Sequence, residues 1–161
     1  MRITRWVLWG LVLGYAFFLG GHLYEVTAVV PNWRSGDVAD VARYRDFFAR
    51  SGPGVYFERV LYPTLLLAML AIPLTWSARK TRWIAAVPLL VIVAYAVWTI
   101  RYFVPINEYI GGTTYDAARL QSLVRGWVMW ETWRALLVTV GLVASVGLCE
   151  RWVGVPRRQA P

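Results

Sequence analysis

Four long apolar stretches divide the chain, near Trp6 to Tyr24, Tyr56 to Trp76, Trp83 to Phe103 and Val128 to Leu148, and the polar residues gather between them. Each is close to the roughly 20 residues a helix needs to cross the hydrocarbon of a bilayer. The pattern predicts an all-α fold, a four-transmembrane-helix bundle with spans at about 6–24, 56–76, 83–103 and 128–148 and outer segments at 31–55 and 105–127, residues 1–161 forming a single transmembrane domain. Within Gly36 to Arg50, Val38, Val41, Tyr44 and Phe48 alternate at helical spacing with Arg43, Arg45, Asp46 and Arg50, and Ser35 or Asp37 precedes them as a cap. Thr114 to Val124 does the same with Ala117, Leu120 and Val124 against Asp116, Arg119 and Gln121. Each outer segment is expected to hold a short amphipathic helix lying over the mouth of the bundle. Gly52-Pro53-Gly54 and Gly111-Gly112 supply the breaks. The basic start followed by an apolar run imitates a secretory signal, but the run is too long for one, so it reads as a retained first span.

The two halves carry matching landmarks. Each has a span ending in an outer proline motif, Val30-Pro31-Asn32 and Val104-Pro105-Ile106-Asn107, and then a span that opens with a Glu and an Arg. Two spans per half means that both halves enter from the same side, so two helix-hairpin repeats related about the membrane normal are expected.

Charge adds an orientation. With a cytoplasmic N-terminus, the inner side carries Arg2, Arg5, Arg79, Lys80, Arg82, Arg151, Arg157 and Arg158 against Glu150 alone, while nine arginines and eight acids fall outside. Nearly all of the formal +8 thus lies on one face, the positive-inside pattern, with both termini cytoplasmic. The ten tryptophans form a belt at each interface: Trp6, Trp9, Trp76, Trp83 and Trp152 inside, Trp33, Trp98, Trp127, Trp130 and Trp133 outside. Because the basic residues are split between two tails and a Ser77 to Arg82 loop, they fit membrane lipid headgroups and no nucleic-acid partner. Sixteen arginines against one lysine fit a GC-rich bacterial genome, hence a bacterial plasma (inner) membrane. The single cysteine, Cys149, excludes an internal disulfide and a multi-cysteine metal site, and reads as an inert thiol. No phosphate loop, Gly-x-Ser-x-Gly or His-Glu-x-x-His is present, and there is no second histidine for a bis-imidazole haem, which argues against nucleotide-driven and haem functions.

The candidate chemistry lies at one depth. Counting about 1.5 Å per residue from the inner tryptophans brings His22 and Glu25 of the first span level with Arg101 and Tyr102 of the third, while Glu58, Arg59 and Tyr62 open the second span and Glu131 and Arg134 the fourth. They are expected to converge in one layer at the outer edge of the hydrocarbon, where ionisable groups face the bundle interior and pair. His22 with Glu25, and Glu131 with Arg134, stand three apart on a helical face. A His-x-x-Glu pair joined by carboxylates from other helices is the kind of set that holds a metal in a four-helix bundle, able to bind dioxygen or activate water. One histidine is too few for the carboxylate-bridged dimetal pattern and leaves a mononuclear site of His22, Glu25, Glu58 and Glu131. Alternatively Glu25, Glu58 and Glu131 are neutralised by Arg59, Arg101 and Arg134 in a purely structural network. A third reading is a pocket in which Tyr62, Tyr102 or His22 exchanges protons with a ligand. All three stay open on the sequence.

Tyr102-Phe103-Val104-Pro105-Ile106-Asn107, an outer segment, and then Trp127, Trp130 and Arg134 before an Ala/Leu/Val-rich span resemble the anthrone-oxygenase-like family of small four-helix membrane proteins. The likeness covers residues 98 to 148. It implies a four-span bundle and, for the named members, oxygen-dependent oxidation of a flat polyketide anthrone; most bacterial members have no assigned role. By motif match it nominates Asn107, Trp130 and Arg134 as pocket residues. The expected function is oxidation of a lipophilic small molecule, with Arg134 and Asn107 orienting it beside Trp130, Arg101, Tyr62 and Tyr102. Glu131 or Glu58 would manage protons, and His22 with Glu25 would relay them or hold a metal, no other cofactor being required. The rival is a non-catalytic accessory or stabilising subunit of a larger membrane complex or homo-oligomer, packing through a Gly-x-x-x-Gly face at Gly10 and Gly14 and through the aromatic rims. A carrier fits less well, since so short a chain needs a second copy to build a translocation path.

Overall fold

The computed structural model describes residues 2–76 and 81–153. Arg79, Lys80, Arg157 and Arg158, which carry half of the inner positive charge counted above, lie outside the described residues. Among the described residues the fold is all-helical, without a strand. Its elements are α1 (Arg2–Tyr24), α2 (Val38–Phe47), α3 (Pro53–Thr75), α4 (Arg82–Trp98), α5 (Val104–Ile110) and α6 (Ala117–Val153). Four continuous helical stretches, Arg2–Asn32, Pro53–Thr75, Arg82–Ile110 and Ala117–Trp152, are long and apolar enough to cross a membrane.

The first and third of these stretches are lengthened by the same device. Proline has no N–H, and its ring collides with the carbonyl four residues back, so Pro31 and Pro105 cannot continue an α-helix unchanged. Just before each one the helix widens into a π turn, at Glu25–Val29 and at Thr99–Phe103. The residue ahead of the proline reaches five residues back, Val30 N–H to the Glu25 carbonyl and Val104 N–H to the Thr99 carbonyl. Around Pro31 the chain makes one 3-10 turn, Val30–Asn32, where Asn32 Nδ2 donates to the Ala28 and Val29 carbonyls at 2.7 and 3.2 Å. After Pro105 it continues as α5.

The outer segments differ from expectation in one respect. Residues 38–47 form the short helix read from the sequence, capped by Asp37, whose carboxylate accepts from Ala39 N at 2.8 Å. Gly36 turns the chain into it with φ +70°, and a Cβ there would meet Gln121 Cα at 2.8 Å, so this is where the first outer segment touches α6. The second amphipathic stretch is no separate helix. It is the beginning of α6, which runs unbroken for 37 residues. The chain breaks are already behind it at Gly111-Gly112, Asp116 accepts the Arg119 N–H at 2.8 Å to start the helix, and Gly126 alone costs too little, about 1 kcal/mol, to interrupt it.

In the ring of membrane-length helices α1 packs on α3 and α6, and α4 packs on the same two. Lipid gives no hydrophobic drive for this association, so close backbone approach and polar ties carry more of it than in water. At Gly14 a Cβ would stand 2.4 Å from Thr64 Oγ1, and at Gly141 one would stand 2.1 Å from the Tyr15 ring. Tyr15 itself donates to the Pro88 carbonyl at 2.5 Å, tying α1 to α4 where it also meets α6. Gly10 and Gly14 therefore face Leu67 and Thr64 of α3 within the chain, so the glycine face, one of the two features on which the accessory-subunit reading relied beside the aromatic rims, is used internally. Of the prolines inside α3, Pro63 and Pro73 point outward, and Pro88 of α4 is buried.

Two apolar cores are stacked along the bundle. The larger contains Leu8, Leu11, Tyr15, Phe18, Ile92, Tyr95, Val138 and the buried thiol of Cys149. The smaller, at the outer end, joins Val29, Trp33, Val41, Phe103, Leu120 and Trp127. On α1 the buried stripe runs through Leu8, Leu11, Tyr15 and Phe18 and continues into His22 and then Glu25, so the polar pair occupies the seam between the cores.

Candidate functional site: a buried polar layer beside a glycine-lined cleft

At that seam four side chains from two helices and one π turn meet. His22 is 0 % exposed, Glu25 4 %, Glu131 0 % and Arg134 4 %. His22 Nδ1 contacts Glu131 Oε1, and the other oxygen of Glu131 accepts from Arg134 Nε at 2.8 Å and from Arg134 Nη2. Arg134 Nη1 donates to Thr99 Oγ1 at 3.3 Å, so the π turn of the third stretch also holds the guanidinium. The same cation lies 3.5 Å from the centroid of Phe103 and within 6 Å of the rings of Tyr95 and Trp127, a setting in which cation–π attraction gains from desolvation. The His22 ring is packed by Phe57 at 4.6 Å, Tyr95 at 5.5 Å and Phe18 at 5.6 Å. Aromatic walls thus fix both ends of an Arg–Glu–His chain in which two guanidinium N–H groups converge on one carboxylate oxygen.

Glu25 stands apart from that chain. Its Oε2, like His22 Nε2, is buried without a hydrogen-bond partner. Yet a ligating atom from each of His22, Glu25 and Glu131 lies within 4.8 Å of the others. Formally the layer holds two carboxylates and one guanidinium. Native interiors leave few polar groups unpaired, and an orphan is a place where a ligand, ion or proton is expected. Tyr44 of α2 faces this region from outside the spans. Burial, and after it the Glu25 carboxylate, pushes its hydroxyl well above the usual tyrosine range.

Glu25 also lines a cleft of about 380 Å³ between α1 and α3, bordered by Gly20, Gly21, Phe57, the loop residue Gly52 and Pro53 at the start of α3. Tyr24 and Tyr56, which line it, are exposed, and its wall is overwhelmingly apolar. Gly20 would meet nothing within 4 Å if given a Cβ, so a larger side chain at that position has open space to enter. A second, shallower groove of about 290 Å³ lies between α4 and α6, against Trp98, Trp130 and Trp133, with no ionisable group in its lining.

The other residues nominated from sequence lie elsewhere. Glu58, Arg59 and Arg101 are exposed, as is Tyr62, so the single layer of three glutamates and three arginines does not form, and Glu58 does not join the candidate ligand set. Adjacent Glu58 and Arg59 open α3 only two turns from its start, and Arg101 is turned outward within a π turn. Asn107 is exposed, but its Oδ1 accepts from Trp127 Nε1 at 2.9 Å, which braces α5 against α6 one ring away from Arg134. Trp130 and Tyr102 pack together, and Trp130 also stacks edge-on with Trp98 at the second groove. Sequence reading missed Thr99, Phe57 and Phe103. Thr99 carried a faint signal as a hydroxyl in an apolar run, whereas the two phenylalanines carried none.

Fold and site together define a polytopic four-helix membrane protein with a buried His–Glu–Arg network. The chain matches no protein-family model, no curated protein and no solved structure.

Proposed function

We propose that this is a membrane-embedded enzyme of the anthrone-oxygenase-like type, which takes a flat lipophilic molecule from the outer leaflet into the cleft between α1 and α3 and oxidises it with dioxygen. The observation that carries the reading is the pair of buried, unpartnered atoms, Glu25 Oε2 and His22 Nε2, where Glu25 lines an apolar cleft between α1 and α3. Apolar walls with one or two placed polar groups are the usual make-up of a small-molecule site. In this role Glu25 accepts a proton from the bound substrate, and Glu131, fixed by Arg134, orients His22 as the partner that passes it on. Phe57 separates the cleft from the imidazole and supplies a ring against which a planar compound can stack.

The charge distribution supports a bacterial plasma membrane with both termini cytoplasmic, which puts the polar layer toward the outer surface. The two π turns, each just ahead of a proline and 74 residues apart in sequence, support two hairpin repeats.

The test uses anthrone as probe, with protein in nanodiscs. Binding by the unmodified protein is expected, lost in Gly20→Trp, which fills the cleft. Oxygen uptake with anthrone is expected to fall at least about a hundredfold in Glu25→Gln, the scale of general acid–base catalysis. Equal binding in Gly20→Trp, or undiminished oxygen uptake in Glu25→Gln, overturns the reading.

A further inference from the structure

We propose that His22, Glu25 and Glu131 form a mononuclear site for a divalent first-row transition metal of the Mn²⁺, Fe²⁺ or Zn²⁺ class, placed where the polar layer meets the cleft. Three observations converge on it. One ligating atom from each residue lies within 4.8 Å of the other two, while atoms bound at about 2.1 Å to one ion stand roughly 3 to 4 Å apart, so small side-chain rotations close the set. All three side chains are almost completely withdrawn from the surface. And the Arg134–Glu131–His22 chain accounts for only part of the donors and acceptors, leaving Glu25 Oε2 and His22 Nε2 with no partner.

A self-contained ion-pair network explains Glu131 and Arg134 but gives Glu25 no reason to be buried beside another carboxylate. A divalent cation does, since it neutralises the carboxylate that Arg134 leaves over. The donor set narrows the class. One imidazole with two carboxylates suits manganese, iron or zinc; Mg²⁺ and Ca²⁺ favour all-oxygen sites, and Cu(I) favours sulfur ligands. Arg134 then acts as a positioning residue. By holding Glu131 Oε2 it leaves Oε1, which here contacts His22 Nδ1, as the oxygen that can turn to the ion, as outer partners of ligating carboxylates do. The site deepens the function proposed above: one oxygen of Glu25 would bind the ion and the other would be left to accept the proton, the relay through His22 giving way to the ion, and the inference rests on that function in one respect, that coordination positions not filled by the chain face the cleft.

Metal content of the full-length protein, stripped with chelator and reloaded separately with Mn²⁺, Fe²⁺ (anaerobically) and Zn²⁺, tests the site. One equivalent of at least one ion is expected in the unmodified protein, with affinity at least about tenfold weaker in Glu25→Gln and in His22→Gln. The exposed Glu58→Gln is expected to bind as the unmodified protein does. Since a variant can lose metal by losing its fold, the melting temperature is followed in parallel. The ion is expected to raise it for the unmodified protein and for Glu58→Gln, with little change for Glu25→Gln, itself checked for helicity and for a single species in detergent. Substoichiometric uptake of all three ions, or equal uptake by a folded Glu25→Gln, overturns the metal site. Anthrone binding without metal sinks only this inference and leaves the substrate reading standing. Metal uptake without anthrone binding sinks the substrate reading and keeps the ion.

Discussion

The outer ends of the two helix pairs share a backbone device and differ in chemistry. In the first pair the π turn opens with Glu25, the flanking helix face is bare at Gly20 and Gly21, and the following span begins with exposed Glu58 and Arg59. In the second the π turn opens with Thr99, the corresponding groove is walled by Trp98 and Trp130, and the following span carries buried Glu131 and Arg134. Neither pair holds a complete site. The first gives the imidazole, the unpaired carboxylate and the opening; the second gives the anchored ion pair and the aromatic cage. Spacing and depth separate the two Glu–Arg pairs. Glu58 and Arg59 are neighbours and diverge, close to the start of α3, whereas Glu131 and Arg134 share a face roughly 21 Å along α6, beneath the outer core.

Charge removal should break the contrast most sharply. Glu131→Gln leaves a guanidinium buried without its partner and is expected to cost about 3 to 5 kcal/mol, whereas Glu58→Gln should stay within about 0.5 kcal/mol, both read from reversible unfolding in mixed micelles. Arg134→Lys keeps the charge but cannot reproduce the fork on Glu131 Oε2 or lie flat on Phe103. A loss of about 1.5 to 3 kcal/mol is expected in the same assay, and none for Arg59→Lys. At the cleft, a Cβ on Gly21 would stand 2.4 Å from the Tyr56 ring, whose hydroxyl donates to the Phe17 carbonyl at 2.7 Å. Gly21→Ala is therefore expected to cost about 1 kcal/mol, while Gly20→Ala, with space around it, should gain about 0.5 to 1 kcal/mol. Least affected is the solvent-facing Asp40. The Ser35 hydroxyl first, and Arg43 after it, hold its carboxyl below the usual carboxylate range. Its support of α2 is fully present above the ordinary value near about 4 and is lost as pH falls through the lower folded value, so the protection of α2 amides, corrected for the pH dependence of intrinsic exchange, should be flat from neutrality down to that region and fall below it, the acid step vanishing in Asp40→Asn.

The membrane-length helices were legible because apolar runs of that length have few other uses, and His22, Glu25, Glu131 and Arg134 were legible because spacing and rise per residue are enough to place polar groups on one face at one height. The same count brought in Arg101 wrongly, since it treats every turn as α-helical and a π turn rephases the residues within it. Pro31 and Pro105 were visible, but the widened turn before each emerges only from how the helix resolves the clash. The cleft was hidden for a different reason: it depends on where folding brings the distant Gly52 and Pro53 relative to Gly20 of α1. Likewise the start of α6 has the composition of a surface helix, and only the lack of a break joins it to the span.

That join has a mechanical consequence. A single rod of 37 residues, about 56 Å long, serves as a wall of the bundle below and as part of the cover above. With no joint between the two, the cover cannot swing upward without snapping backbone bonds in the middle of α6. On the function proposed above, a compound that reaches Glu25 between α1 and α3 comes through the leaflet, and the dose the protein meets is its concentration in water multiplied by its partition into the bilayer.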